Sequence, residues 1–395
     1  MQVARIAQSM VGLAIVLFTI TVYRSPELAG LVTFLSMAPG LLVSPLAGAL
    51  LDRHGRSLLI RIDFLVAFVC LTLIGTLSIL GLLPVWLLLL IATVSSLTQP
   101  LSATGLRSLF PILVPEHLWE RVNAVDSMGY VVATIAGPPL AGALVGIAGG
   151  PVALIVTGLV YAFAAAVLVG IPDPHTDTAS TGRLFRDAWD GVVYTWRNPT
   201  LRALGFSISA LNLSAGVTTI AVPLILIDRL HEPAMTVGLT YAAMGIGGAI
   251  AALAFGRIDS SGRERRMLVV PMIASGATML LLLPMSALLL VVVAMTLIGL
   301  LNGPMDIALF TIRQRRTDPA WMGRAFAVSM AFNFAGYPIG SAVSGWLAPR
   351  SIELTILLGA AVCVVAAIIA LTGIPIVDRR LQDRPKAIDP GRSAA

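Results

Sequence analysis

Three carboxylates interrupt stretches that otherwise carry no charge. Asp126 is the only charged residue between 122 and 171, and Asp306 is the only one between 267 and 312. Asp63 stands at the start of a third apolar run, beside Arg61. A carboxylate removed from water can take up and release a proton near neutral pH, or be held as an anion by a nearby arginine. Asp306 lies seven residues before Arg313, so about 10 Å inside its helix end at roughly 1.5 Å per residue. It stands open between a proton site and a structural ion pair. Asp63 is expected to pair with an arginine, and Asp126 with arginines of the polar hinge at 52–56.

Uncharged polar side chains recur in the same stretches: Gln99, Tyr130, Asn212, Tyr241, Asn302, Asn333 and Tyr337. They are candidates to line a cavity, with Phe206, Met244 and Phe334 as apolar walls. So few charges suit a neutral or amphipathic organic compound better than a sugar phosphate or a dicarboxylate. Each of these residues could equally hydrogen-bond one helix to another.

The hinge itself is Asp52-Arg53-His54-Gly55-Arg56. Its core returns as Asp259-x-x-Gly262-Arg263, about half a chain later at 207 residues (259 − 52). Other features repeat at nearly that offset: Pro100 and Pro115 are echoed by Pro304 and Pro319. The chain therefore reads as two related halves. Within each hinge the aspartate can face the positive N-terminus of a neighbouring helix, and the glycine allows a tight turn.

The elements that must position these residues are membrane helices. The chain is 57% hydrophobic and 12% charged, where soluble domains carry about 25% charged residues. Windows of 40–50 residues hold at most one charge, enough for two crossings each at about 20 residues per crossing. Period-two alternation, the mark of a barrel, is absent. Twelve helices are expected, at 4–23, 28–51, 57–80, 84–107, 118–147, 151–171, 201–228, 234–257, 266–285, 287–312, 322–348 and 352–376. With both termini cytoplasmic, 23 of the 26 Lys and Arg fall on the cytoplasmic side. Arg24, Arg229 and Arg350 fall on the other. The organisation is a six-helix half at 1–172, a cytoplasmic linker at 173–200, a second half at 201–377 and a disordered tail at 378–395. The first polar segment is so short that the natural start is expected upstream. In the linker, Leu184, Phe185, Ala188, Trp189, Val192, Val193 and Trp196 recur at helical spacing, as in an amphipathic helix lying in the interface.

The fold class is thus all-α and polytopic, two pseudo-symmetric six-helix bundles, an arrangement that points to transport. The net charge of +6 is spread over short loops, which argues against nucleic acid. No cofactor or metal is expected. The two cysteines, Cys70 and Cys363, stand alone within spans, and the four histidines are in loops. That distribution also argues against a membrane enzyme, and the lack of a G-x-x-x-x-G-K-[ST] loop against an ATP-driven pump.

Gly48-Ala49-Leu50-Leu51-Asp52-Arg53-His54-Gly55-Arg56 resembles the helix 2–3 loop signature of the major facilitator superfamily, G-x-L-a-D-r-x-G-r. The resemblance extends over the whole chain. Arg107 to Pro115 with Asn123-Ala124, Gly137-Pro138, and Gln314 with Gly323-Arg324 narrow it to the bacterial exporter branch of enterobactin and macrolide efflux proteins. It implies a secondary transporter in a bacterial inner membrane, a monomer that exports a small molecule, with protons as the candidate coupling ion. Import, or flipping of a lysolipid, are the alternatives on the same fold, and a non-transporting membrane sensor is a further one. It also implies that Gly48, Asp52, Arg53, Gly55 and Arg56 latch the halves on the cytoplasmic side against a helix starting at Arg324. Asp259, Gly262 and Arg263 would form a weaker copy. Gly137, Pro138 and Gly142 match the helix 5 antiporter motif in part, because Ala141 replaces a glycine. The fourth helix lacks the mid-membrane arginine of drug–proton antiporters and the first lacks an acid, which leaves the driving ion open.

Overall fold

The computed structural model describes residues 2–170, 184–256, 262–318 and 321–375. The described chain is helical throughout. The first half runs α1 (Gln2–Phe18), α2 (Pro26–Leu35), α3 (Ala38–His54), α4 (Arg56–Ile79), α5 (Val85–Leu113), α6 (Trp119–Ala148) and α7 (Gly150–Val167). A short helix, α8 (Leu184–Arg197), leads into the second half. That half comprises α9 (Pro199–Leu224), α10 (Ala234–Phe255), α11 (Glu264–Met279), α12 (Leu288–Arg315), α13 (Met322–Phe334), α14 (Gly336–Leu347) and α15 (Ile352–Gly373).

Eleven helical segments among the described residues are long and apolar enough to cross a membrane. The twelfth crossing is made by α13 and α14 in succession. Two crossings expected as single helices are broken, each for the same reason. Proline has no N–H for the carbonyl four residues back, and its ring crowds that carbonyl. Pro39 ends α2 at Leu35, and Pro338 ends α13 at Phe334. The turns between spans follow local chemistry. Ser25 and Ser351 accept hydrogen bonds from the backbone N–H three residues on, and Asn198 from Thr200 and Leu201, which caps α2, α15 and α9. Gly55 alone separates α3 from α4, with φ 89° and ψ 140°, a conformation open only to glycine.

The pseudo-symmetry shows in details that no repeat of residue types announces. The first helix of each half ends in a π-helical turn, Thr19–Tyr23 and Ile225–Arg229. Each turn leads to a proline, Pro26 or Pro233, at the next helix start. In each half the first helix packs on the fifth and sixth crossings: α1 on α6 and α7, α9 on α13, α14 and α15. One end of the molecule carries α8, the hinge and most of the arginines, and is called the arginine-rich end below. The opposite end carries Arg24, Arg229 and Arg350.

Candidate functional site

The halves meet in two seams, α2 against α14 and α6 against α10. Both seams are made by glycines. A Cβ placed on Gly142 would lie 2.6 Å from the Ala234 carbonyl oxygen and 3.1 Å from the Cα of Gly238. One placed on Gly345 would lie 2.6 Å from the Pro26 carbonyl oxygen and 2.9 Å from the Cα of Gly30. The helices therefore touch backbone to backbone, as small residues permit in membrane bundles. The two seams are the same contact made twice. Gly137 and Gly340 pack on the first helix of their own half, at Ser9–Met10 and at Leu213. Five residues on, Gly142 and Gly345 pack on the second crossing of the other half, at Gly238 and Gly30.

Both seams lie toward the end opposite the arginine-rich one. The α6–α10 seam continues to Ile135 against Gly245. One to two turns further, Val131 and Met128 on α6 and Leu253 on α10 are exposed. On the other side α3 and α13 touch only sparsely, where α2 and α14 pack closely. Among the described residues the halves are joined closely at one end and only sparsely, through α3 with α13 and α8, toward the arginine-rich end.

The three carboxylates have separate fates. Asp126 pairs with Arg5 of α1 at 2.5 Å, both side chains buried, and Arg5 also lies 5.7 Å from the Tyr130 ring centre. Its partner is thus Arg5 rather than an arginine of the hinge. Arg5 sits one turn into the first helix, too close to the terminus for its apolar setting to show in the sequence. Asp63 is buried beside the hydroxyls of Thr98 and Ser102 on α5, and no arginine pairs with it among the described residues. Asp306 is exposed and has no hydrogen-bond or ion-pair partner among the described residues. Phe310, one turn on, is also exposed, and from this face Arg313 reaches across to α13. Asp306 therefore lies on the face of α12 that turns toward α13.

Arg313 was not singled out by the sequence, yet it is the largest fully buried side chain among the described residues. Its guanidinium lies 5.6 Å and 5.2 Å from the Phe310 and Phe326 ring centres and donates to the Met330 sulfur at 2.9 Å. Asn333, its amide oxygen assigned toward Arg313, accepts at 2.5 Å and donates to the Ser329 carbonyl at 3.0 Å. The Arg313 Nε has no partner among the described residues.

Among the cavity candidates, four are engaged in binding helices together. Asn212 donates to the Asn333 carbonyl at 2.9 Å, Tyr337 meets the Thr219 hydroxyl at 2.7 Å, and Tyr241 donates to the Thr218 carbonyl at 3.1 Å. Tyr130 is exposed, and Gln99 and Asn302 are half-buried. Arg53 is exposed at the end of α3, with Gly55 and Arg56 at the start of α4. The surroundings of Gly48, the side chains of Asp52 and Arg324, and all of Asp259 lie outside the described residues. Gly262 turns with φ 72° beside Arg263, just before α11.

Two six-helix bundles joined by paired seams define a polytopic membrane carrier. The chain belongs to the Major Facilitator Superfamily, whose family model matches residues 3–258 and again 204–393. It is a transporter and not an enzyme, as its relatives are. It is 34% identical over 371 residues to the MFS-type transporter y4rN of Sinorhizobium fredii, covering 93% of this chain and 92% of that one. It is 23% identical to macrolide efflux protein A of Streptococcus pyogenes, over 88% and 87% of the two chains. It is also 23% identical to the multidrug efflux pump Tap of Mycolicibacterium fortuitum, over 81% and 80%. Solved structures share the fold at low identity. Nucleoside transporter NupG matches at TM-score 0.74 and 13% identity, over 94% of this chain and 96% of that one. A bacterial homologue of the iron transporter ferroportin matches at 0.73 and 15%, over 94% and 96%.

Proposed function

We propose that the protein exports a small amphipathic organic compound, drug-like or siderophore-like, by alternating access and in exchange for protons. The observation that carries this reading is the pair of glycine seams at one end with the halves parted at the other. The arginine bias puts the parted end in the cytoplasm of a bacterium, with both termini there. The pathway then opens to the side from which an exporter loads. The rocking units are 1–172 and 201–377. In this reading the exposed Asp306 and Tyr130 and the half-buried Gln99 and Asn302 line the pathway between them, and so few charges suit an amphipathic guest. The two relatives named for macrolide and multidrug efflux support the same direction and chemistry.

Asp306 carries the proton. It is an unpaired carboxylate facing the gap, whereas Asp126 is committed to Arg5 and Asp63 to hydroxyls inside the first half. The hinge residues Gly48, Asp52, Arg53, Gly55 and Arg56, with Arg324, latch the cytoplasmic end when the seams at the outer end separate. Asp259, Gly262 and Arg263 are the lesser copy. The test is compound accumulation in a bacterial strain lacking the gene, with and without the plasmid-borne protein, across macrolides, dyes, siderophores and lysolipids. Lower accumulation of at least one amphipathic compound, restored to the deletion level by a protonophore, is expected. Higher accumulation of the responding compound would establish import instead.

A further inference from the structure

Helix α8 is built inside out for a helix in water. Toward the protein, Gly191 and Thr195 are buried. Its side away from the protein carries Trp189, Val192 and Trp196, which are 65%, 38% and 55% exposed. These three positions follow helical spacing and form one stripe. The helix does not swing freely. Tyr194 stacks on Trp321 at 4.9 Å with the rings 5° apart, and its hydroxyl accepts from the Asp318 N–H at 3.0 Å. One residue past the helix, Asn198 donates to the Arg316 carbonyl at 3.0 Å. Trp196 also meets the exposed Phe206 of α9 edge-on at 5.9 Å. The stripe is therefore held in a fixed direction and continues onto the surface of a membrane span.

Its depth is fixed as well. Helix α8 ends at Arg197, and the span α9 begins at Pro199, so α8 lies at the level where a span leaves the bilayer. Tryptophan is favoured at that level, where its ring is apolar and its N–H meets water. Arg197 and Arg202 are exposed beside the stripe, and Arg202 donates to the Trp196 carbonyl at 3.3 Å. Basic side chains flanking an apolar stripe suit the negatively charged headgroups of a membrane surface.

We infer that α8 is a lipid-binding element. Trp189, Val192 and Trp196 insert into the headgroup region, and Arg197 and Arg202 engage acidic phospholipid. This inference does not depend on the transported compound. The test uses the full-length protein in vesicles of phosphatidylcholine, alone or mixed with phosphatidylglycerol, with acyl chains brominated near the headgroup. Subtracting the fluorescence of the Trp189→Phe, Trp196→Phe protein from that of the unmodified one isolates these two rings from the other four tryptophans. The difference signal should lose about half its intensity or more to brominated lipid and resist aqueous iodide. Quenching should deepen with phosphatidylglycerol and weaken with salt. Arg197→Gln with Arg202→Gln should abolish the response to phosphatidylglycerol while leaving quenching in phosphatidylcholine. A difference signal open to iodide and untouched by brominated lipid would overturn insertion and place the stripe against water. Equal quenching with and without phosphatidylglycerol would overturn the acidic-lipid assignment. The two single tryptophan variants supply the same contrast if the double variant does not reconstitute.

Discussion

Replacing Gly142 by alanine should push the closed end of the molecule open. The new Cβ would stand 2.6 Å from the Ala234 carbonyl oxygen, where ordinary contact begins at 3.4 Å. The helices α6 and α10 must therefore part by about 0.8 Å (3.4 − 2.6) or strain in place. Overpacking of this kind costs about 1–3 kcal/mol. The clash exists only while this seam is closed, so the whole cost falls on that state. The ratio of closed to open forms should fall about 5- to 150-fold, at tenfold per roughly 1.4 kcal/mol. Gly345→Ala should act alike through the other seam. Gly146→Ala is the control, because its Cβ would meet Met235 no closer than 3.7 Å. Spin labels at Leu82 and Leu289, exposed at this end on opposite halves, report the change by double electron–electron resonance. Longer distances should gain population in Gly142→Ala and Gly345→Ala, and not in Gly146→Ala. Unchanged distributions in both seam variants would refute the backbone seams as the closure.

Asp126→Ala should destabilise the protein by about 3–5 kcal/mol, because it leaves Arg5 buried without its carboxylate. Thermal unfolding in detergent measures this, and the Arg5→Met, Asp126→Leu double variant should recover most of the loss. Gly55→Ala should cost about 1–3 kcal/mol through its backbone conformation, since φ 89° excludes a side chain at the one residue between α3 and α4. The same unfolding assay detects it. Asp52→Asn should cut transport severalfold while abundance in the membrane stays normal, measured as flux per copy.

The twelve crossings were legible because each needs about 20 apolar residues and short arginine-bearing loops separate them. Their ends agree with the structure to within a few residues, except at the C-terminus of α5, which runs on to Leu113. The breaks at Leu35 and Phe334 were written in Pro39 and Pro338, but other prolines such as Pro138 and Pro304 are held inside unbroken helices. Proline alone does not say which outcome neighbours will enforce. The seams were half legible. Gly137 and Gly142 stood out by motif, while Gly30 and Gly238 are ordinary small residues until the helices are brought together. Their signal was the five-residue step from Gly137 to Gly142, repeated from Gly340 to Gly345. Ion-pair partners were not legible. Asp126 and Arg5 are 121 residues apart, and sequence carries no record of which helix faces which. Arg313 hid for a related reason: as one arginine in a basic helix end, it looked like a topology marker until α13 enclosed it.

The most direct test is uptake into inside-out membrane vesicles holding the protein, with a panel of macrolides and amphipathic dyes supplied outside under an inside-acid pH gradient. The account predicts protein-dependent accumulation of at least one compound, lost when the gradient is collapsed and insensitive to the gradient in Asp306→Asn. Accumulation that persists unchanged after the gradient is collapsed, or a gradient response retained by Asp306→Asn, would contradict it.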